Sequence, residues 1–108
     1  MKPIPVTVAG LGLGLPDRIV TNADLAESLE TTDEWITART GIRERRILDD
    51  DKALSTLAIL AGQEALNASG VSPEDIGLVI VATCTPDTFM PATSCRVAAA
   101  LGCHNGLA

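Results

Sequence analysis

The apolar positions of this chain divide into uninterrupted runs and helical stripes. Val6 to Leu11 is a short apolar run with β-branched residues that ends among glycines, and it predicts a buried strand. Leu78 to Thr83 reads Leu-Val-Ile-Val-Ala-Thr without a polar break, the pattern of a central parallel strand covered on both faces. Between them Leu57, Ala61, Ala65 and Ala68 recur on one helical face, which predicts a helix over 55–69 stopped by Gly70. The segment 92–101 follows Pro91, is apolar nearly all round and ends at Gly102, so it predicts a buried helix.

Polar signals fill the intervals. Thr21-Asn22 caps a short predicted helix from Ala23 to Leu29. Thr31 and Glu34 have capping-box spacing, and the helix they open runs to Arg39 or Thr40 before Gly41. Ile42 to Leu48 alternates apolar and charged residues, as a strand or an extended arm does. Asp49 to Lys52 is a solvated turn, Ser72-Pro73-Glu74-Asp75 is a further helix start, and Thr85 to Thr88 is a loop. The order of strand, helices, strand and helix is the opening of an α/β layered fold. Two or three strands cannot cover a helix as apolar as 92–101, so the sequence reads as the front part of something larger.

Gly10, Gly12 and Gly14 do not form a dinucleotide fingerprint. That motif needs a third glycine three residues after the second, where Leu15 stands, and a helix where Pro16 stands. They predict a backbone turn out of the strand. The same glycines and Pro16 interrupt the leader-like outline of Lys2 and its following apolar run, and no small-residue cleavage site follows.

Composition narrows the function. Hydrophobic types make up 46% of 108 residues and charged types 20%, too apolar for a disordered chain. No run reaches the ~18 apolar residues of a membrane span. The net charge of −6 disfavours nonspecific nucleic-acid binding, which depends on neutralising phosphates. Cys84, Cys95 and Cys103 are odd in number, form no C-x-x-C and have only His104 for company, so neither a disulfide framework nor a metal site is expected. A reduced, cytoplasmic protein with small buried thiols is the expectation. There is one Trp, one Phe and no Tyr, so the core must be aliphatic and the single indole needs a reason.

Arg39, Arg43, Arg45 and Arg46 hold half the positive charge of the chain within eight residues. Thr31, Trp35 and Arg39 recur at i, i+4 and i+8, which places a hydroxyl, an indole and a guanidinium on one helix face. Such a row suits a nucleotide-like ligand, with stacking on the indole and phosphate at the Arg. On residues alone, Trp35 as core and the arginines as surface partners of Asp33, Glu34 and Glu44 is the favoured reading, because exposed charge clusters are common.

The string Thr32-Asp-Glu-Trp-Ile-Thr-Ala-Arg-Thr-Gly-Ile-Arg-Glu-Arg-Arg46 resembles a signature of the β-ketoacyl-acyl-carrier-protein synthase III family of thiolase-like condensing enzymes. Leu15-Pro16, Thr21-Asn22-Ala-Asp-Leu25, Ala65-Leu66, Gly70, Asp75-Ile76, Val81 to Asp87 and Pro91 to Cys95 are similar to that family in its order. The resemblance runs from Val8 to Leu101.

The resemblance implies an acyltransferase that takes an acyl group from coenzyme A onto a cysteine and condenses it with a malonyl-carrier protein, losing carbon dioxide. It implies the N-terminal part of a thiolase-like α/β domain over 1–108, in a homodimer or with a second chain supplying the remainder, with no cofactor beyond the coenzyme A thioester. Trp35 and Arg39 would line the coenzyme A tunnel, with Thr31 beside them. Arg43, Arg45 and Arg46 would receive the acidic carrier protein or phosphates. Met90 would cross the dimer interface to shape the partner's acyl pocket, although plain packing of this Met is an equal reading. The family's nucleophilic cysteine, histidine and asparagine would lie beyond Ala108, and Cys84, Cys95, Cys103 and His104 do not occupy their positions. Two other functions stay open. One is a related acyltransferase of secondary metabolism, and the other a non-catalytic binding or dimerisation module.

Overall fold

Every helix of eight residues or more ends at a glycine with a left-handed backbone: Gly41 at φ 72°, Gly70 at φ 68° and Gly102 at φ 78°. A side chain in that region is strained, so these positions set the helix lengths. The computed structural model describes residues 3–108, and Lys2 lies outside the described residues. The chain folds as two units, Leu15–Lys52 and the segment up to Gly14 together with Ala53–Ala108.

In the first unit, strand β1 (Ile19–Thr21) runs into helix α1 (Asn22–Ala26), followed by helix α2 (Asp33–Thr40) and strand β2 (Glu44–Arg46). The strands pair antiparallel with Val20 opposite Arg45, so the alternating 42–48 stretch contains a strand. Thr21 and Asp24 form a reciprocal capping box at α1. The helix ends at Ala26 rather than at Leu29, although the Leu29 amide still reaches the Leu25 carbonyl. α2 is capped one residue later than its spacing suggested: Thr32, and not Thr31, accepts a hydrogen bond from the Trp35 amide. Its first turn carries Asp33 and Glu34 and its last turn Arg39, the charge order a helix dipole favours.

The second unit is built on helix α3 (Leu54–Ser69), which packs against helix α4 (Thr93–Leu101). Gly62 makes that approach possible, because a β-carbon there would strike the Leu101 side chain. Thr93, Val97 and Ala98 form the buried side of α4, and Cys103 is buried just past its glycine cap. Ala99 and Ala100 are exposed, so α4 is covered on one face and not all round. Ser72–Asp75 makes a single 3-10 turn with Pro73 at its start, shorter than the helix expected there.

Two strand expectations are corrected. Residues 6–11 have no ladder partner among the described residues, and Val6 is 91% exposed. Their glycines do something other than turn the chain. A β-carbon on Gly10, Gly12 or Gly14 would run into the α3 carbonyls of Ala65, Ala61 or Leu57 respectively. Two extended residues advance about 6.6 Å and four helical residues about 6 Å, so glycines at every second residue of the segment meet every fourth residue of the helix. The apolar side chains between them point away from α3 and lack cover. Residues 78–83 likewise form only one parallel bridge, Leu78 to Leu107, with the Val79 amide donating to the Leu107 carbonyl at 2.8 Å. A strand needs neighbours on its edges, and within the described residues this run has one bridge.

Candidate functional site

Asn22 is 1% exposed, and its side chain ties the Leu15–Lys52 unit together. Its Nδ2 donates to Asp33 Oδ1 at 2.7 Å, to the Ile42 carbonyl at 2.8 Å and more weakly to Thr37 Oγ1 at 3.3 Å. Its Oδ1 accepts from Arg45 Nη2 at 2.7 Å. Asp33 and Thr37 lie one turn apart on α2, so this residue fixes the inner face of the helix that carries Trp35 and Arg39 outward.

Trp35 is 58% exposed, which removes it from the core of its unit. The Arg39 guanidinium carbon stands over its ring, 5.6 Å from the centroid, in cation–π range. Beside the indole lies an open concavity of about 830 Å³ lined by Leu29, Glu30, Thr31, Thr32, Trp35 and Ile36. The structure therefore brings Thr31 and Trp35 to one hollow with Arg39 adjoining, but not as three positions of one helix, since Thr31 precedes the cap. The Thr31 hydroxyl is buried and has no hydrogen-bond partner among the described residues. Glu30 is the charged lining residue, so positive charge enters from Arg39 at the margin.

The basic cluster is divided. Arg45 also donates to the Val20 carbonyl, and Arg46 to the carbonyls of Pro16 and Asp17. Among the described residues, Arg39, Arg43, Arg45 and Arg46 form no ion pair, so the expected surface pairing with Asp33, Glu34 and Glu44 does not occur. Arg43 makes no side-chain hydrogen bond there either.

Met90 belongs to the other unit, that of Ala53–Ala108. It is 86% exposed at the tip of the 85–91 loop, next to Phe89 at 96%, and precedes a cis peptide to Pro91. Cys84 and Cys95 are exposed and Cys103 is buried. No group of three His, Cys, Asp or Glu among the described residues is placed to hold a metal, and no helix is long and apolar enough to cross a membrane.

Sequence reasoning missed three participants: the Asn22 hub, the lining residues Leu29, Glu30 and Ile36, and Asp87, whose carboxylate sits at the start of α3. Asn22 and Asp87 stood in the sequence within a cap signal and a loop, in stretches similar to the family, and nothing local marks the contacts they make.

No family model matches the chain. It is 52% identical, over all of its residues, to a β-ketoacyl-[acyl-carrier-protein] synthase III of Symbiobacterium thermophilum. It spans about a third of the length of the curated relatives it matches, 33% in that case. Among solved structures it is similar to the 3-oxoacyl-[acyl-carrier-protein] synthase III of Aquifex aeolicus, with a TM-score of 0.83 and 43% identity over 91% of this chain and 32% of that one. It is also similar to the priming β-ketosynthase of the R1128 polyketide pathway, with a TM-score of 0.85 and 38% identity over 93% of this chain and 30% of that one. The α/β, thiolase-like fold class read from the sequence agrees with these neighbours. The chain is thus similar, in sequence over its whole length and in fold over nine-tenths of it, to about a third of the length of β-ketoacyl-[acyl-carrier-protein] synthases III.

Proposed function

We propose that this chain is the N-terminal segment of a cytoplasmic β-ketoacyl-[acyl-carrier-protein] synthase III that begins fatty-acid assembly. The intact enzyme transfers an acyl group from coenzyme A to its cysteine thiolate, releasing the coenzyme A thiol. Loss of carbon dioxide from a malonyl-carrier protein then generates the carbanion that attacks the acyl thioester. The new carbon–carbon bond frees the cysteine. No cofactor beyond the coenzyme A thioester is required by this reading.

The observation that carries it is the exposed Trp35 indole with Arg39 over its ring, beside a hollow, in a chain half identical to such enzymes. Trp35 stacks on the adenine, Arg39 contacts the phosphates, and Thr31 lines the same hollow. Arg43 offers an unpaired charge to the acidic carrier protein. Arg45 and Arg46 add charges anchored by Asn22 and by backbone carbonyls. Met90 crosses a homodimer interface and shapes the partner's acyl pocket, its flexible thioether adapting to different chains.

A second reading is a related condensing acyltransferase of secondary metabolism, which the similarity to the R1128 priming synthase favours. The experiment is to supply the intact protein with acyl-coenzyme A and then malonyl-carrier protein. Decarboxylation and a β-ketoacyl-carrier product support a condensing enzyme of either pathway and are required by the first reading, and an ester or amide product supports the second alone. Mass spectrometry of the trapped acyl-enzyme should find Cys84, Cys95 and Cys103 unmodified. An acyl group on any of them contradicts the proposal.

A further inference from the structure

The cap position before helix α3 is Ala53, which has no side chain able to cap it. The Ser55 amide is in the first turn of a buried residue and would be an unpaired donor. Asp87, thirty-two positions on, meets that need: its Oδ1 and Oδ2 lie 3.2 and 3.3 Å from the Ser55 nitrogen. The next residue continues the anchorage. Thr88 Oγ1 accepts from Arg96 Nη2 of α4 and donates to the Pro91 carbonyl, each at 3.4 Å. The loop base is thus held to the starts of both helices, while Phe89 and Met90 stand out at its tip.

We propose that Asp87 is a positioning residue that sets where Met90 stands, and through it the acyl-chain preference of the enzyme; this rests on the acyl-pocket reading of Met90. The carboxylate does not touch the acyl chain. It acts by fixing the loop three residues upstream of Met90, on the first turn of a sixteen-residue helix. Without that anchor the side-chain hydrogen bond left between the loop and a helix is the long one from Arg96 to Thr88, since the bond from Thr88 to Pro91 lies within the loop. Asn at the same position keeps an acceptor oxygen of similar reach, which is why Asn and Asp are near-equal caps.

The test measures kcat/KM for a short and a long acyl-coenzyme A in the intact enzyme, for wild type, Asp87→Ala, Asp87→Asn, Met90→Ala and the Asp87→Ala/Met90→Ala double variant. Asp87→Ala should change the ratio of the two by about tenfold, the low end of what a misfitted methylene costs an apolar pocket. Asp87→Asn should restore the wild-type ratio, and the double variant should match Met90→Ala alone. If Asp87→Ala does not fold, Thr88→Val, which removes the other anchor, should shift the ratio in the direction that Met90→Ala does, and an unshifted ratio overturns the inference. A Met90→Ala variant with an altered ratio beside an Asp87→Ala variant that slows both substrates equally overturns the inference and leaves the Met90 reading standing. A Met90→Ala variant with an unaltered ratio overturns both.

Discussion

Arg45 Nη2 donates to Asn22 Oδ1 at 2.7 Å, from a strand to the first residue of a helix twenty-three positions earlier. The pair is the centre of the Leu15–Lys52 unit. The same Asn22 holds Asp33 on α2 and the Ile42 carbonyl, so the helix bearing Trp35 is positioned by a polar hub where most small units use an apolar one.

Asn22→Ala should therefore be the most damaging single change in that unit. It strands a guanidinium and a carboxylate that it now pairs, and the expected loss is ~3 kcal/mol, the upper range for an unsatisfied partly buried group. Hydrogen exchange at the amides of α2, together with denaturant melts, measures it. An unchanged midpoint would show that water replaces Asn22 without cost.

Gly12→Ala tests the glycine stripe. The added methyl would meet the Ala61 carbonyl on α3, which is backbone and cannot step aside as a side chain does. An overpacking loss of roughly 1–3 kcal/mol is expected. Gly77→Ala, where a β-carbon meets nothing, serves as the control. Equal melting temperatures for the two variants would contradict the close approach.

Acid should weaken the attachment of the 85–91 loop to α3. Hydrogen bonding from Ser55 holds the Asp87 carboxyl below its ordinary value of 3.8, with the Leu54 amide and the Arg96 charge acting in the same direction against partial desolvation. A lowered carboxyl stabilises the fold above its unfolded value and stops doing so as pH falls through its folded value. The melting-temperature gap between wild type and Asp87→Asn should thus be flat from neutral pH to about pH 5 and change below that. A gap that moves instead between pH 6 and 8 would point to another group.

The apolar side chains of residues 4–15 and of Ile80 and Phe89 have little cover. The 108-residue polypeptide studied by itself should bind a hydrophobic dye and self-associate, because an exposed apolar patch of this extent favours contact over solution. A monomer with a sharp cooperative thermal transition would contradict this.

What was legible in the sequence was local. The stops at Gly41, Gly70 and Gly102 were, because a left-handed cap needs only the residue itself. The Trp35–Arg39 pairing was also legible, since four residues on a helix make neighbours. The Thr31–Trp35–Arg39 row was half right, because the cap falls at Thr32 and leaves Thr31 outside the helix. The runs 6–11 and 78–83 have strand composition, but pairing belongs to partners and not to a run. Asn22, Asp87 and the glycine stripe act over ten to fifty positions, and no window of sequence contains both ends of those contacts.

Trp35 as a nucleotide platform is the claim on which the account rests. Titrating coenzyme A into the intact protein, wild type against Trp35→Ala, with melting temperatures measured on the same samples, tests it most directly. Loss of one stacking contact costs ~1–3 kcal/mol, about 5- to 150-fold in Kd. Arg39→Ala should weaken binding as well, by an amount that shrinks as salt rises. That weakening should come with the melting temperature nearly unmoved, since the indole is already mostly exposed. A melting temperature that falls while the Kd for coenzyme A stays at its wild-type value would contradict it.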